Sequence, residues 1–235
     1  MTSGDLITYY DDATGERFGL TAGELGGWTA ATAALLTEGC RLGPGRTAAV
    51  LLPPHWQTAA VLLGAWSAGL ELSIRGWATA GLDPAGAPLD VTFVERRRVG
   101  NWLDDVPTGG HQFVLGLAPH GEATADVPGG YLDYISALRP YLGAHPPRHE
   151  IAEHLPAVTD GTTYREYAEV AAATAARNGI RAGDRVLIDT AAHEQPLIWL
   201  LGPLTVGASI ILCAHLDPAR LDDRIDKERV TKLLT

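Results

Sequence analysis

Apolar and polar residues alternate over residues 6–12, the period of a strand, and Asp12-Ala-Thr-Gly15 supplies turn chemistry before a second stretch over 16–20. Together they predict a hairpin. Thr21 and Glu24 form a capping-box signature, in which each side chain reaches the other residue's backbone N–H. It opens an amphipathic helix running to about residue 38. Gly43-Pro-Gly45 ends the connection and residues 47–52 read as a buried strand. Residues 55–69 form an apolar helix carrying Trp56 and Trp66, followed by a short strand over 71–74.

From Gly76 to about Pro147 the pattern is less regular. Residues 91–94 and 112–117 read as strands with a short helix near Trp102 between them, and 133–142 as helix. Pro- and Gly-rich stretches at 80–88, 107–110 and 144–147 read as loops, the last marking the expected boundary between two lobes, residues 1–150 and 151–235.

The third part of the chain repeats the first. Thr163 and Glu166 form another capping box before a helix over 167–178. A strand over 185–189, an apolar helix over 196–207 with Trp199, and a strand over 209–213 follow. The same number of positions separates His55 from Gly69 and His193 from Gly207. Helix, strand, helix, strand at matched spacing predicts an α/β fold of two similar βαβ-type lobes with largely parallel sheets. Residues 47–52 and 185–189 are then its central strands.

Composition narrows the class. Hydrophobic residues at 46% and charged residues at 20% describe a globular chain, and a formal net charge of −10 argues against nucleic acid or an anionic membrane as a general partner. The stretch 197–213 is apolar, but Gly202-Pro203 and Gly207 interrupt it, so it reads as helix, turn and buried strand, not as a membrane span. Without a basic segment and apolar core at the N-terminus, the expected compartment is the cytoplasm. Cys40 and Cys213 sit far apart in apolar stretches and read as buried free thiols. Lys227 and Lys232 are the only lysines.

Leu20-Thr21-x-x-Glu24-Leu25, Gly43-Pro-Gly45-Arg46, Val50-Leu-Leu-Pro53 and Ala65-x-x-Ala-Gly69 together resemble the opening of AMP-binding, adenylate-forming enzymes of the acyl-CoA synthetase type. The run Asp184-Arg-Val-Leu187, His193, Gly202-Pro203-Leu204, Gly207-Ala208 and Arg229-Val-Thr231 resembles their second lobe. Tyr10-Asp-Asp-Ala-Thr-Gly-Glu-Arg17 and Pro53-Pro-His-Trp-Gln-Thr58 are similar to a family of short bacterial proteins distantly related to them. The order and spacing of these motifs, more than any one of them, carry the resemblance.

In the larger enzymes a Ser/Thr/Gly-rich loop with a lysine grips the phosphates of ATP, because small residues let backbone N–H groups approach the oxygens. The matching stretch here is Val158-Thr159-Asp160-Gly161-Thr162-Thr163, which keeps Thr159, Gly161, Thr162 and Thr163 as a phosphate-loop candidate. It runs into Tyr164-Arg165-Glu166, with no lysine, and Asp160 and Glu166 repel a triphosphate. The resemblance places His193 at an acyl-pocket position, with Glu194 and Asp189 near it. It also implies that the adenine pocket, the magnesium-binding acid and the mobile C-terminal domain lie beyond Thr235. The expected function is therefore that of a degenerate, non-catalytic acyl-CoA synthetase-like protein binding a nucleotide such as ATP or AMP, CoA, an acyl group or a protein partner. A divergent or split adenylate-forming, acid–thiol ligase-type enzyme is the alternative. A small hydrolase or transferase using His193 and nearby carboxylates is a third reading, disfavoured because no Gly-x-Ser-x-Gly elbow is present.

Metal-ligand spacing of His or Cys is absent from the sequence. The paired acids Asp11-Asp12, Asp104-Asp105 and Asp222-Asp223 read as solvated charge, no basic group is expected near enough to either thiol to lower its pKa and make it catalytic, and His55 reads as structural. Loss of the surface that the larger enzymes cover predicts self-association as a homodimer.

Overall fold

The protein is described by a computed structural model, which places residues 4–76, 89–101, 106–145 and 150–235. In chain order the first half contains β1 (Ile7–Asp11), β2 (Glu16–Leu20), α1 (Ala22–Ala34), β3 (Thr47–Leu51), α2 (Trp56–Ser67), β4 (Glu71–Ile74), β5 (Leu89–Glu95), β6 (Gly109–Leu115) and β7 (Leu132–Asp133). Then come α3 (Tyr134–Leu138), α4 (Tyr164–Arg177), β8 (Arg185–Asp189), α5 (Gly202–Thr205), β9 (Ser209–Ala214), α6 (Leu221–Glu228) and β10 (Lys232–Leu234).

The chain divides into two units. One comprises Met1–Leu25, Pro54–Trp56 and Glu166–Thr235, and the other Gly26–Pro53 and Gln57–Arg165. The first unit holds a sheet of order β10-β8-β9-β1-β2, parallel except for the β1–β2 hairpin. Its core is formed by Val186, Leu187, Ile188, Ile210, Ile211 and Leu212, all fully buried. An apolar run buried on both faces is what a central parallel strand needs. β1 lies between β9 and β2, which buries residues 7–10 and not merely alternate ones.

The second unit holds an all-parallel sheet of order β4-β3-β5-β6-β7. Phe93 stacks on Phe113 with ring centroids 5.4 Å apart, and Tyr134 meets Phe93 edge-on. The Tyr134 hydroxyl is 2.6 Å from Thr32 Oγ1, which satisfies a buried polar atom inside this core. Gly64 on α2 allows the close approach of α1: a Cβ there would lie 2.5 Å from Thr32 Cβ and 3.0 Å from the Thr29 carbonyl oxygen.

Most of the predicted elements are present. Both predicted central strands, now β3 and β8, are internal to their sheets. The Thr21–Glu24 capping box forms, with Thr21 N donating to Glu24 Oε2 (2.8 Å) and Glu24 N to Thr21 Oγ1 (3.3 Å). Gly69 (φ +82°) and Gly207 (φ +76°) both take the left-handed conformation ahead of the next strand, so the matched spacing marks matched turns. The helix near Trp102 and the loop at 80–88 lie outside the described residues, as do Asp104 and Asp105.

The expected division at about residue 150 is corrected by the sheets. It parts β1 and β2 from β8–β10, whereas Ile7–Asp11 pairs in parallel register with Ile210–Ala214. The predicted helix over 133–142 is the five-residue α3 followed by a 3₁₀ turn at Arg139–Tyr141, where Pro140 offers no N–H.

Candidate functional site

The phosphate-loop candidate belongs to the second unit, where residues 157–159 run beside β4. Leu72 N donates to the Ala157 carbonyl (3.0 Å) and Thr159 N to the Leu72 carbonyl (3.1 Å). The chain then reverses through Asp160 and Gly161, whose φ of +91° suits glycine. Gly161 N donates to the Val158 carbonyl (3.0 Å) and Thr162 N to Asp160 Oδ1 (2.9 Å). Hydrogen bonds from the Thr162 side chain and backbone hold the Asp160 carboxyl below its usual range. At the start of α4, Tyr164 N donates to the Leu155 carbonyl (3.0 Å) and Arg165 N to the Glu153 carbonyl (3.0 Å).

The amides of Thr159, Gly161, Thr162, Tyr164 and Arg165 are thus all committed to protein acceptors. A phosphate loop works by presenting such amides unpaired. Here a carboxylate of the same turn, that of Asp160, accepts the Thr162 N–H. Arg165, the nearby positive charge, is engaged by Glu153 at 3.2 Å.

His193 belongs to the first unit and is half-buried in the turn after β8. Its backbone N–H donates to the Asp189 carbonyl (3.1 Å), while Asp189 Oδ1 accepts from Ala191 N (3.0 Å). Its imidazole makes no hydrogen bond among the described residues, so the carboxylate partner that a hydrolase reading needs is missing there. His55 is buried and packs edge-on against Tyr9 at 4.5 Å; burial pushes its imidazole down to about 3 and keeps it neutral.

The same sheet edge holds a pair that the sequence did not announce. The chain leaves β9 toward β10 and leaves β1 toward β2, so these neighbouring strands part at their carboxyl ends, where open α/β sheets offer a crevice. There His215 Nδ1 donates to Asp11 Oδ1 across 2.9 Å, from a residue in the left-handed region at φ +48°. Asp12 accepts from Arg224 Nη2 (2.5 Å), Arg224 Nη1 (3.0 Å) and Asp217 N (2.8 Å). The Arg224 guanidinium holds the Asp12 carboxyl below the usual range against burial. Arg224 also lies over the Tyr10 ring at 4.3 Å, and the Tyr10 hydroxyl donates to Glu228 Oε1 (2.5 Å). Burial opposes ionisation of Glu228, but Tyr10, Arg185 and Arg17 together hold its carboxyl at about 2.

These contacts correct two expectations. Asp11 and Asp12 are not solvated charge but paired anchors, with the Asp12 side chain 4% exposed. Cys213 does have a basic neighbour, Arg224 Nη1 at 3.5 Å, which comes from a helix eleven residues on. Burial still prevails and pushes the thiol up to about 11. Among the described residues no group of three His, Cys, Asp or Glu side chains is placed to hold a metal, and no helix is long and apolar enough to cross a membrane.

Comparison with solved structures shows the fold. The chain matches an acyl-CoA synthetase of Brucella canis with a TM-score of 0.75 and 19% identity, over 99% of this chain and 44% of that one. The N-terminal domain of FACL13 from Mycobacterium tuberculosis matches with a TM-score of 0.65 and 19% identity, over 97% and 57%. The anthranilate CoA ligase AuaEII, solved with anthranoyl-AMP, matches with a TM-score of 0.63 and 15% identity, over 94% and 43%. The chain thus has the fold of the N-terminal part of adenylate-forming acyl-CoA synthetases and spans about half the length of these proteins. No family model matches it. A protein of Mycobacterium tuberculosis (strain H37Rv), described as a TIGR03089 family protein, is 38% identical over 236 residues, 98% of this chain and 91% of its own length. By that similarity the chain belongs to the TIGR03089 family.

Proposed function

We propose that this protein is a non-adenylating member of the acyl-CoA synthetase fold, a binding scaffold in which the phosphate loop has become a self-closed turn. The observation that carries the reading is the Asp160 carboxylate on Thr162 N, with the amides of Tyr164 and Arg165 committed to backbone carbonyls. Adenylation needs the transferring phosphate neutralised and the attacking carboxylate aligned. A loop that has no lysine and carries its own anion supplies neither. Removal of one such electrostatic group costs on the order of 10²–10³ in rate.

ATP-dependent pyrophosphate exchange over a broad panel of carboxylates tests this. Exchange at background is expected; exchange above background that Thr162→Ala abolishes identifies a divergent or split enzyme instead. Residues 159–163 are then not the ligand contact, and His193, whose imidazole is uncommitted among the described residues, is the proposed pocket residue for an acyl or CoA-type ligand. A thermal-shift screen with ATP, AMP, CoA, acyl-CoAs and simple carboxylates identifies the class, since a ligand of the native state raises stability by mass action. AMP or acyl-CoA protection that His193→Ala removes is the expected result. We further propose a cytoplasmic homodimer, with Leu132 on edge strand β7, 57% exposed, and the exposed Leu142 offering apolar surface. Light scattering at high micromolar concentration checks the stoichiometry, and a monomer refutes it.

A further inference from the structure

The second unit has its own topological switch point, the place where open α/β sheets offer a crevice, apart from the closed phosphate loop. In the order β4-β3-β5-β6-β7 the chain leaves β3 toward β4 and β5 toward β6, so the connections after these adjacent strands diverge. Divergence at the carboxyl ends of parallel strands is where small ligands bind in open α/β sheets. The residues there are Leu52 and Pro53 after β3, Glu95 at the end of β5, and the turn Arg96-Arg97-Arg98.

Glu95 is out of place on ordinary grounds. It is 2% exposed, pairs across the sheet with the fully buried Leu115, and Leu52, one residue beyond the Leu51–Val94 pair, lies on its other side. Its Oε1 accepts from Arg97 Nε, while Oε2 is buried with no hydrogen-bond partner among the described residues. A bare buried carboxylate oxygen costs free energy that folding alone does not return. The other arginines do not cover it: Arg98 Nη1 is given to the Arg75 carbonyl (2.8 Å) and Arg96 to the Asp126 carbonyl and carboxylate. Arg97 differs from both. Its side chain is 70% exposed, and among the described residues Glu95 is its sole polar partner, so its guanidinium can swing without breaking any other contact there.

We propose that this crevice binds a small anion that also carries a hydroxyl group, with Glu95 Oε2 accepting the hydroxyl and the Arg97 guanidinium taking the carboxylate or phosphate. The surplus of arginine over acid at this edge favours the anion. The unsatisfied oxygen supplies discrimination, because a site built to accept a hydrogen bond rejects the analogue without the donor.

Calorimetry on the full chain with matched pairs tests it: glycolate against acetate, and ribose 5-phosphate against inorganic phosphate. The hydroxyl-bearing member of one pair is expected to bind about tenfold more tightly or better, and which pair does so separates the two sources of the anion. Arg97→Gln should weaken both members alike and keep the preference, whereas Glu95→Gln should bring the pair within about twofold. Equal binding within both pairs, absence of binding by all four, or a preference that survives Glu95→Gln overturns the proposal. The wild-type comparison and Arg97→Gln, an exposed change, decide the matter even if Glu95→Gln does not fold.

Discussion

Glu228→Gln isolates a buried electrostatic anchor of the first unit. Glu228 accepts from Tyr10, Arg17 and Arg185, which ties α6 to β1, β2 and β8. A carboxyl held at about 2, where 4.5 is its ordinary value, contributes at most about 3 kcal/mol at neutral pH. Arg17 is 42% exposed, and solvent screens its share, so about 2 kcal/mol is the expected difference between wild type and variant at pH 7. Because the folded carboxyl lies below its unfolded value, the contribution is complete above about pH 5 and fades as pH falls toward about 2. Urea unfolding followed by tryptophan fluorescence measures it. The gap between wild type and variant should fall to less than half by pH 3. A gap unchanged from pH 7 to pH 3, or absent at pH 7, refutes the reasoning.

Packing and burial set two further outcomes. Gly64→Ala should cost about 1–3 kcal/mol, read as a lower urea midpoint with unchanged slope, because its new Cβ meets Thr32 and the Thr29 carbonyl, a backbone atom that cannot give way cheaply. Cys40 and Cys213, both pushed up to about 11 by burial, should react with a disulfide reagent only under denaturing conditions; rapid labelling of either in native buffer contradicts their placement.

Local chemistry was legible in the sequence where short-range rules govern it. The Thr21–Glu24 box needs only neighbours within one turn, and buried strands β3 and β8 show as apolar runs bounded by turn residues. The fold inferred from motif order and the fold shown by solved structures agree. Pairings of high sequence separation were not legible. Nothing in residues 7–11 says that they lie beside residues 210–214, and that register decides which residues share a unit. The Asp11–His215 pair depends on it, since it joins the ends of strands made adjacent by the sheet, and so does Asp12–Arg224, which ties the turn after β1 to α6, the helix that follows β9. Asp160 reads in the sequence as a repelling charge beside the phosphate loop. The sequence leaves open that its carboxylate turns inward onto Thr162 N, a local turn habit of aspartate before glycine.

The closed loop is tested most directly by amide NMR of the uniformly ¹⁵N-labelled chain titrated with magnesium–ATP. The resonances of Gly161, Thr162, Tyr164 and Arg165 are expected to stay in place at roughly millimolar nucleotide, because each N–H already has a protein acceptor. Progressive, saturable shifts of these amides, with Thr162 moving most as Asp160 is displaced, would contradict it.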